Sequence, residues 1–167
     1  MKKIILLLVA VLSFSFANAQ RGEGTDWLKA GVHFGLPIAD ASDTSSFVLG
    51  VDLKYQFLNV NSFGIGFSTG YSHYFGKEVA GVSVDQGIVP LAALFRFYPT
   101  ENFFIGTDLG YGFLTEGSES GGFYYRPEVG YHSDKWNIYG FYQGLSVDGS
   151  TPSSVGIGIN YNIIQGK

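Results

Sequence analysis

Ser154-Val155-Gly156-Ile157-Gly158-Ile159-Asn160-Tyr161-Asn162-Ile163 alternates strictly between two kinds of side chain. The odd-numbered positions from 155 to 163 are Val, Ile, Ile, Tyr and Ile, and the even-numbered positions from 156 to 162 are Gly, Gly, Asn and Asn. Because successive side chains of a strand point to opposite faces, this pattern predicts a strand with one apolar face. Such a strand suits a sheet that meets hydrocarbon on one side and a narrow polar interior on the other. An ordinary half-buried strand is the alternative.

Seven further runs with strand-like alternation precede this segment, each bounded by turn residues. They cover residues 27–36, 46–57, 63–75, 86–98, 103–114, 122–132 and 136–145. The clearest is 63–75, where Phe63, Ile65 and Phe67 alternate with glycine and serine. In 136–145 both parities contain aromatic residues, so the pattern does not choose an outward face. Eight such runs predict an all-β, eight-stranded antiparallel up-and-down β-barrel.

The composition favours a barrel that crosses a membrane. The chain has 24 glycines, 17% aromatic residues and only 14% charged residues, whereas soluble domains carry about 25% charged residues. No run after residue 19 approaches the length of a spanning helix. An apolar chain without such a run is typical of a transmembrane β-barrel, in which the hydrophobicity is distributed by alternation.

The N-terminal residues predict export. Met1-Lys2-Lys3 is followed by a short apolar run and an Ala17-Asn18-Ala19 ending, the pattern of a cleaved secretory signal peptide over residues 1–19. The mature chain is then one domain, residues 20–167. There is no cysteine, which excludes disulfides and thiolate chemistry. Without Lys2 and Lys3 the chain has eight basic and fourteen acidic residues, a balance that argues against nucleic acid as a partner.

The connections between the runs alternate in length. Residues 58–62, 99–102 and 133–135 are tight turns, whereas 37–45, 76–85, 115–121 and 146–153 are longer. Outer-membrane barrels have short periplasmic turns and longer outside loops, so both termini are predicted to be periplasmic. On that orientation, aromatic residues form a girdle near each rim. The periplasmic girdle is Trp27, Phe57, Phe63, Phe97, Phe103, Tyr131 and Trp136, and the outer one is Phe34, Phe47, Tyr71, Phe113 and Phe123.

The signal peptide, the alternation, the turn and loop asymmetry and the last strand together resemble the small OmpA/OmpX-type outer-membrane β-barrel family, over the whole mature length. The resemblance implies a monomeric integral protein of the Gram-negative outer membrane, surrounded by lipid and inserted by the barrel-assembly machinery, without a cofactor. Ser154, Gly156, Ile159 and Tyr161 resemble the C-terminal strand signal that this machinery recognises, although the usual final aromatic is missing. The competing architecture is a secreted soluble barrel with its apolar residues inside, around a small apolar ligand.

A set of charged residues has inward parity in the runs. They are Asp52, Lys54, Arg96, Asp108, Arg126 and Glu128. Pairing neighbouring runs brings Arg96 diagonal to Asp108, and Asp108 near Glu128 and diagonal to Arg126. Charges buried in so narrow a space must be paired. We therefore predict a structural ion network that plugs the lumen, with no conducting pore. The alternative is a shifted register in which the charges contact lumenal water.

The remaining functional candidates are the histidines and the outer loops. His33 has inward parity, His73 lies outward near the outer rim, and His132 lies by a periplasmic turn. No His-x-Ser spacing with a nearby carboxylate is present, and adjacent strand residues such as Ser72 and His73 face opposite ways. We therefore predict no catalysis. The outer loops are short and acidic and lack calcium-loop spacing. Two roles stay open: the loops only solvate the rim of the barrel, or they interact with an unidentified surface ligand, as in parts of the resembled family. Their acidic residues are Asp40, Asp43, Glu78, Asp85, Glu116, Glu119 and Asp148.

Overall fold

The computed structural model describes residues 26–60, 62–78, 85–116 and 120–165. The predicted signal peptide and Glu119 lie outside the described residues. Eight strands and one short helix make up the described chain. They are β1 (Trp27–Ile38), α1 (Asp40–Thr44), β2 (Ser45–Val60), β3 (Phe63–Gly76), β4 (Gln86–Thr100), β5 (Phe103–Leu114), β6 (Gly121–His132), β7 (Trp136–Ser146) and β8 (Ser153–Ile164).

The strands form one closed barrel. Each strand pairs antiparallel with its neighbours in sequence order, and β1 pairs with β8 to close the wall. The structure confirms the predicted eight-stranded up-and-down architecture. A strand of twelve residues extends about 40 Å, which at a barrel tilt of about 40° spans about 30 Å, the thickness of a bilayer's hydrocarbon core.

Side chains alternate between the lumen and the outside along each strand. On β4, Leu91 is 61% exposed and its neighbour Ala92 is 3% exposed. The ambiguous strand β7 is resolved, because Tyr139 and Phe141 are buried while Trp136 and Ile138 are exposed. Tyr139 and Phe141 point inward because neighbouring glycines leave room for them on that side. Gly156 and Gly158 of β8 lie opposite Phe141 and Tyr139, and a Cβ atom at either glycine would collide with the opposing ring. Gly130 of β6 also lies opposite Tyr139, and a Cβ atom there would collide with the Cβ of Tyr139.

The two ends of the barrel differ as predicted. The turn end carries the short connections β2–β3, β4–β5 and β6–β7, and the loop end carries the longer connections. Outward aromatic rings pair near both ends, with centroids 5.0 Å apart for Phe63 and Phe97 at the turn end and 4.3 Å apart for Phe47 and Phe75 at the loop end.

Two local features differ from the sequence prediction. β2 and β4 continue two to three residues into the predicted turns, because an irregularity in each register near the turn end absorbs the extra residues. The connection between β1 and β2 contains α1, which the alternation did not predict. Within the described residues, no helix is long and apolar enough to cross a membrane.

Candidate functional site

All six predicted lumenal charges lie inside the barrel, each between 1% and 6% exposed. They occupy inward positions of four strands. Asp52 and Lys54 are on β2, Arg96 is on β4, Asp108 is on β5, and Arg126 and Glu128 are on β6. Because the side-chain period of a strand is two, each pair on one strand points to the same face. We refer to these six residues as the ion network.

One half of the ion network contains two cations that share two carboxylates. Arg96 Nη1 lies 3.0 Å from Asp108 Oδ1, and Arg96 Nη2 lies 2.7 Å from Glu128 Oε2. Lys54 Nζ lies 3.2 Å from Asp108 Oδ2 and also forms a close ion pair with Glu128. These contacts connect β2 with β5 and β6, strands that do not pair through their backbones.

Arg126 forms the other half. Its Nη1 lies 2.7 Å from Asp52 Oδ1, and its Nε lies 3.2 Å from Glu128 Oε1. The guanidinium carbon lies 4.2 Å from the centre of the Phe141 ring, a distance that allows a cation–π contact. Glu128 therefore joins the two halves, and each carboxylate of the ion network has a cationic partner, as buried charges require.

The register between β5 and β6 differs from the predicted one. Arg126 lies directly opposite Asp108, and Glu128 lies opposite Gly106 and diagonal to Asp108. The predicted order of these two neighbours of Asp108 is therefore wrong. The long connection between the strands does not fix the register. Across the tight turn between β4 and β5, Arg96 is diagonal to Asp108 as expected.

Three further lumenal residues contact this region and were not included in the prediction. The Tyr139 hydroxyl donates to Asp52 Oδ2 over 2.5 Å. Lys29 is 5% exposed, and its ammonium donates a long hydrogen bond of 3.5 Å to the Tyr98 hydroxyl. With Lys29, four Lys and Arg side chains and three carboxylates of the described residues are buried in the lumen. The third residue is His33.

His33 connects a carboxylate and a hydroxyl. Its Nδ1 lies 3.1 Å from Asp52 Oδ2, and its Nε2 lies 3.0 Å from Ser72 Oγ. The order of groups is that of a serine-hydrolase triad, but Asp52 is also held by Arg126, and Ser72 is 1% exposed. The three residues come from β1, β2 and β3, so only their shared inward parity on neighbouring strands could have indicated the contact. A substrate would need access that this packing does not provide.

A second histidine has an outward chain of contacts at the loop end. His73 Nε2 lies 3.3 Å from Asp85 Oδ2, and its Nδ1 lies 2.9 Å from the Tyr71 hydroxyl. The sequence pattern did not predict the contact between His73 and Asp85. The other oxygen of Asp85 accepts the backbone N–H of Gly76 over 2.8 Å. These contacts hold together the base of the β3–β4 connection, which is a structural arrangement.

Between the ion network and the loop end the lumen is filled by apolar and aromatic side chains, which we call the apolar plug. Its buried members are Ala41, Val48, Tyr74, Ile88, Ala92, Tyr124 and Leu145. Ala41 comes from α1, so the helix covers the plug from the loop end.

The residues proposed as the assembly signal lie on β8, where Ser154 is buried while Ile159 and Tyr161 are exposed. Recognition by the assembly machinery stays a prediction. Within the described parts of the chain, no cluster of acidic residues, histidine or cysteine is arranged to hold a metal ion.

Solved structures share this barrel. Ail of Yersinia pestis, in a phospholipid bilayer nanodisc, is similar with a TM-score of 0.60 and 18% identity, covering 84% of this chain and 100% of Ail. The chain has the fold of the small outer-membrane β-barrels. The N-terminal β-barrel domain of Pseudomonas aeruginosa OprF gives a TM-score of 0.53 at 14% identity, covering 84% of this chain and 100% of the domain. Neisserial surface protein A gives a TM-score of 0.51 at 12% identity, covering 83% of this chain and 97% of the neisserial chain. No protein-family model and no curated protein sequence matches this chain.

Proposed function

We propose that this chain is an integral outer-membrane protein whose wall is surrounded by lipid. The outward face carries the proposal. Thirty large apolar or aromatic side chains of the described residues are exposed, and Ile157 reaches 66%, whereas soluble monomers rarely expose an apolar patch of more than a few hundred Å². In hydrocarbon the same surface is favourable, and the charged side chains are kept inside.

The alternative of a soluble barrel that binds a small apolar ligand is wrong about the wall. That architecture needs its apolar side chains inside and its polar side chains outside. Here the lumen contains the ion network and the apolar plug, and the exposed face is apolar. The inside and the outside are therefore reversed relative to a lipocalin-like binding protein.

We infer that the loop end faces the outside of the cell, because outer-membrane barrels place their longer connections there. Insertion would use the barrel-assembly machinery acting on β8, and the protein would be a monomer with no nucleic-acid partner. The surface then available to other molecules is the loop end.

Ail, an attachment invasion locus protein, has been solved with the heparin analogue sucrose octasulfate. We do not expect such a polyanion to bind this chain, because its loop end is acidic.

The proposed role is structural or surface-interacting, without catalysis or conduction. The packing around Ser72 and the apolar plug support this, because substrate and hydrated ions both need an open path. In a planar bilayer we expect the purified protein to give no stepwise current. Regular conductance steps that disappear when the protein is omitted would contradict the non-conducting part of the proposal.

The absence of native cysteine allows a direct test of location and orientation. Asp148→Cys at the loop end and Glu101→Cys at the turn end both replace exposed residues. In intact cells, a membrane-impermeant maleimide should label Asp148→Cys and not Glu101→Cys, and both should be labelled after lysis. Labelling of Glu101→Cys alone would mean that the orientation is the opposite of the proposed one. A protein found in the soluble fraction would refute the membrane proposal.

The predicted signal peptide is tested separately: mass spectrometry of the mature protein should show Gln20 as its first residue.

A further inference from the structure

The loop end contains a cavity that the proposed function does not by itself explain. It has a volume of about 400 Å³ and lies between α1, the loop-end termini of β4 and β5, and the β7–β8 connection. Its volume falls within the range of small-ligand pockets. Its apolar lining includes Ala41, Ile88, Leu114 and Val147, and two acidic residues, Asp40 and Asp148, also line it. We call this cavity the loop-end cup.

The walls of the loop-end cup are tied together by hydrogen bonds on two sides of α1. On one side, Lys77 donates from Nζ to the Ser42 carbonyl over 2.6 Å and from its backbone nitrogen to the Thr44 carbonyl over 2.7 Å. On the other side, Asp40 Oδ2 accepts the backbone N–H of Thr151 over 2.7 Å and the Ser150 hydroxyl over 3.1 Å. A preformed cavity loses less conformational entropy when it binds a ligand.

The charges around the loop-end cup are predominantly negative. In the connections at this end, the described residues include six carboxylates and a single basic side chain, Lys77. The carboxylates are Asp40, Asp43, Glu78, Asp85, Glu116 and Asp148. This field attracts cations and repels anions over about 8–10 Å at moderate ionic strength. A metal ion is a poor candidate, because the described residues contain no metal-binding cluster.

We propose that the loop-end cup binds a cationic peptide segment, with an aromatic or aliphatic side chain in the cavity and a neighbouring Lys or Arg beside Asp148. Charge complementarity and the apolar lining select this occupant together: a purely polar cation would leave the apolar lining unused, and an acidic peptide would be repelled. The proposal rests on the proposed surface role of the loop end and names the chemistry of its partner.

The test is a titration of the purified, micelle-embedded protein with the amide of Lys-Trp-Lys, followed by methyl NMR. Saturable shifts are expected at the Leu114 and Val147 methyl groups, weakening as salt is raised. The amides of Glu-Trp-Glu and Lys-Gly-Lys are matched probes that remove the charge and the apolar side chain in turn. Each should bind at least about tenfold more weakly if both features are recognised.

Two variants and a control complete the test. Val147→Trp fills the cavity and should abolish the shift of Leu114. Asp148→Asn, at an exposed site that need not disturb folding, should weaken binding about two- to threefold, as expected for one charge about 7 Å away in water. Glu101→Gln removes the same kind of charge at the turn end and should leave the affinity unchanged.

Several results would overturn the proposal. One is the absence of methyl shifts at millimolar Lys-Trp-Lys, and another is equal affinity for Glu-Trp-Glu. Unchanged binding by Asp148→Asn together with Val147→Trp would also refute it. Because the titration uses purified protein, it is independent of cellular location. Failed binding combined with surface labelling of Asp148→Cys would refute the loop-end cup alone, and binding without surface labelling would refute the proposed orientation.

Discussion

Arg126 offers the most direct perturbation of the ion network. Its guanidinium lies 2.7 Å from Asp52 at the nearest atoms, and both side chains are buried. With charge centres about 4 Å apart and an effective dielectric constant of about 20, the attraction is about 4 kcal/mol. Glu128 retains Lys54 and Arg96 as partners, so the main loss in Arg126→Met falls on Asp52. We expect the free energy of unfolding to decrease by about 3 kcal/mol, at the lower end of the range for broken buried pairs.

The assay is reversible urea unfolding in phospholipid vesicles, followed by the fluorescence of Trp27 and Trp136. A double-mutant cycle with Asp52→Asn separates the pair from other effects of Arg126→Met, such as lost packing on Phe141. If the pair is coupled, the double variant should be less destabilised than the sum of the single variants by about 2 kcal/mol.

The control is Lys135→Met, which removes an exposed cation at the turn end and should change the free energy of unfolding by no more than about 0.5 kcal/mol. If Arg126→Met behaved like this control, the pair of Arg126 with Asp52 would contribute no stability, contrary to the prediction. If the effects of the two lumenal substitutions simply added, the two side chains would not interact, which would also contradict it.

Three further tests address the wall and the lumen. Leu91→Arg puts a charge on the outward wall and should cost about 2–4 kcal/mol in vesicles, whereas Thr100→Arg at the turn end should cost about 0–1 kcal/mol; equal costs would argue against a lipid-facing wall. Gly66→Ala forces a Cβ against the backbone of the neighbouring strand, whereas at Gly140 the nearest atom to an added Cβ is 3.8 Å away. Urea unfolding should therefore show a decrease in the free energy of unfolding of about 1–3 kcal/mol for Gly66→Ala and of less than about 0.5 kcal/mol for Gly140→Ala. The reverse ranking would contradict the described packing. A fluorophosphonate should not label Ser72 in the folded protein, and mass spectrometry showing a label that Ser72→Ala abolishes would reveal an accessible nucleophile.

Much of the fold could be predicted because its main signal is local. A strand period of two is visible within each run, and turn residues separate the runs. Features that depend on neighbouring strands were harder to predict. The inward face of β7 is determined by space that Gly130 and Gly158 leave for Tyr139, and a single run does not contain that information. α1 is a single short helix in a connection, where alternation carries no signal.

The candidate site was only partly predictable for the same reason. Parity alone identifies inward charges, and the tight turn between β4 and β5 sets Arg96 diagonal to Asp108. The contacts across the lumen depend on barrel closure, which brings Lys54 to Glu128 although they are 74 residues apart. Likewise, the contact of His73 with Asp85 depends on how the β3–β4 connection folds back, and the strand pattern does not contain this.

In the proposed arrangement, the apolar face of the wall meets lipid and the polar face meets the lumen. This can be tested in the unmodified protein by measuring nuclear Overhauser effects between lipid acyl chains and side-chain methyl groups in nanodiscs. Leu91 and Ile157 are 61% and 66% exposed, whereas Ile88 and Leu145 are fully buried. We predict strong effects from acyl methylene protons to Leu91 and Ile157 and none to Ile88 and Leu145. Acyl contacts at the buried pair, or water contacts in place of lipid contacts at the exposed pair, would contradict the claim.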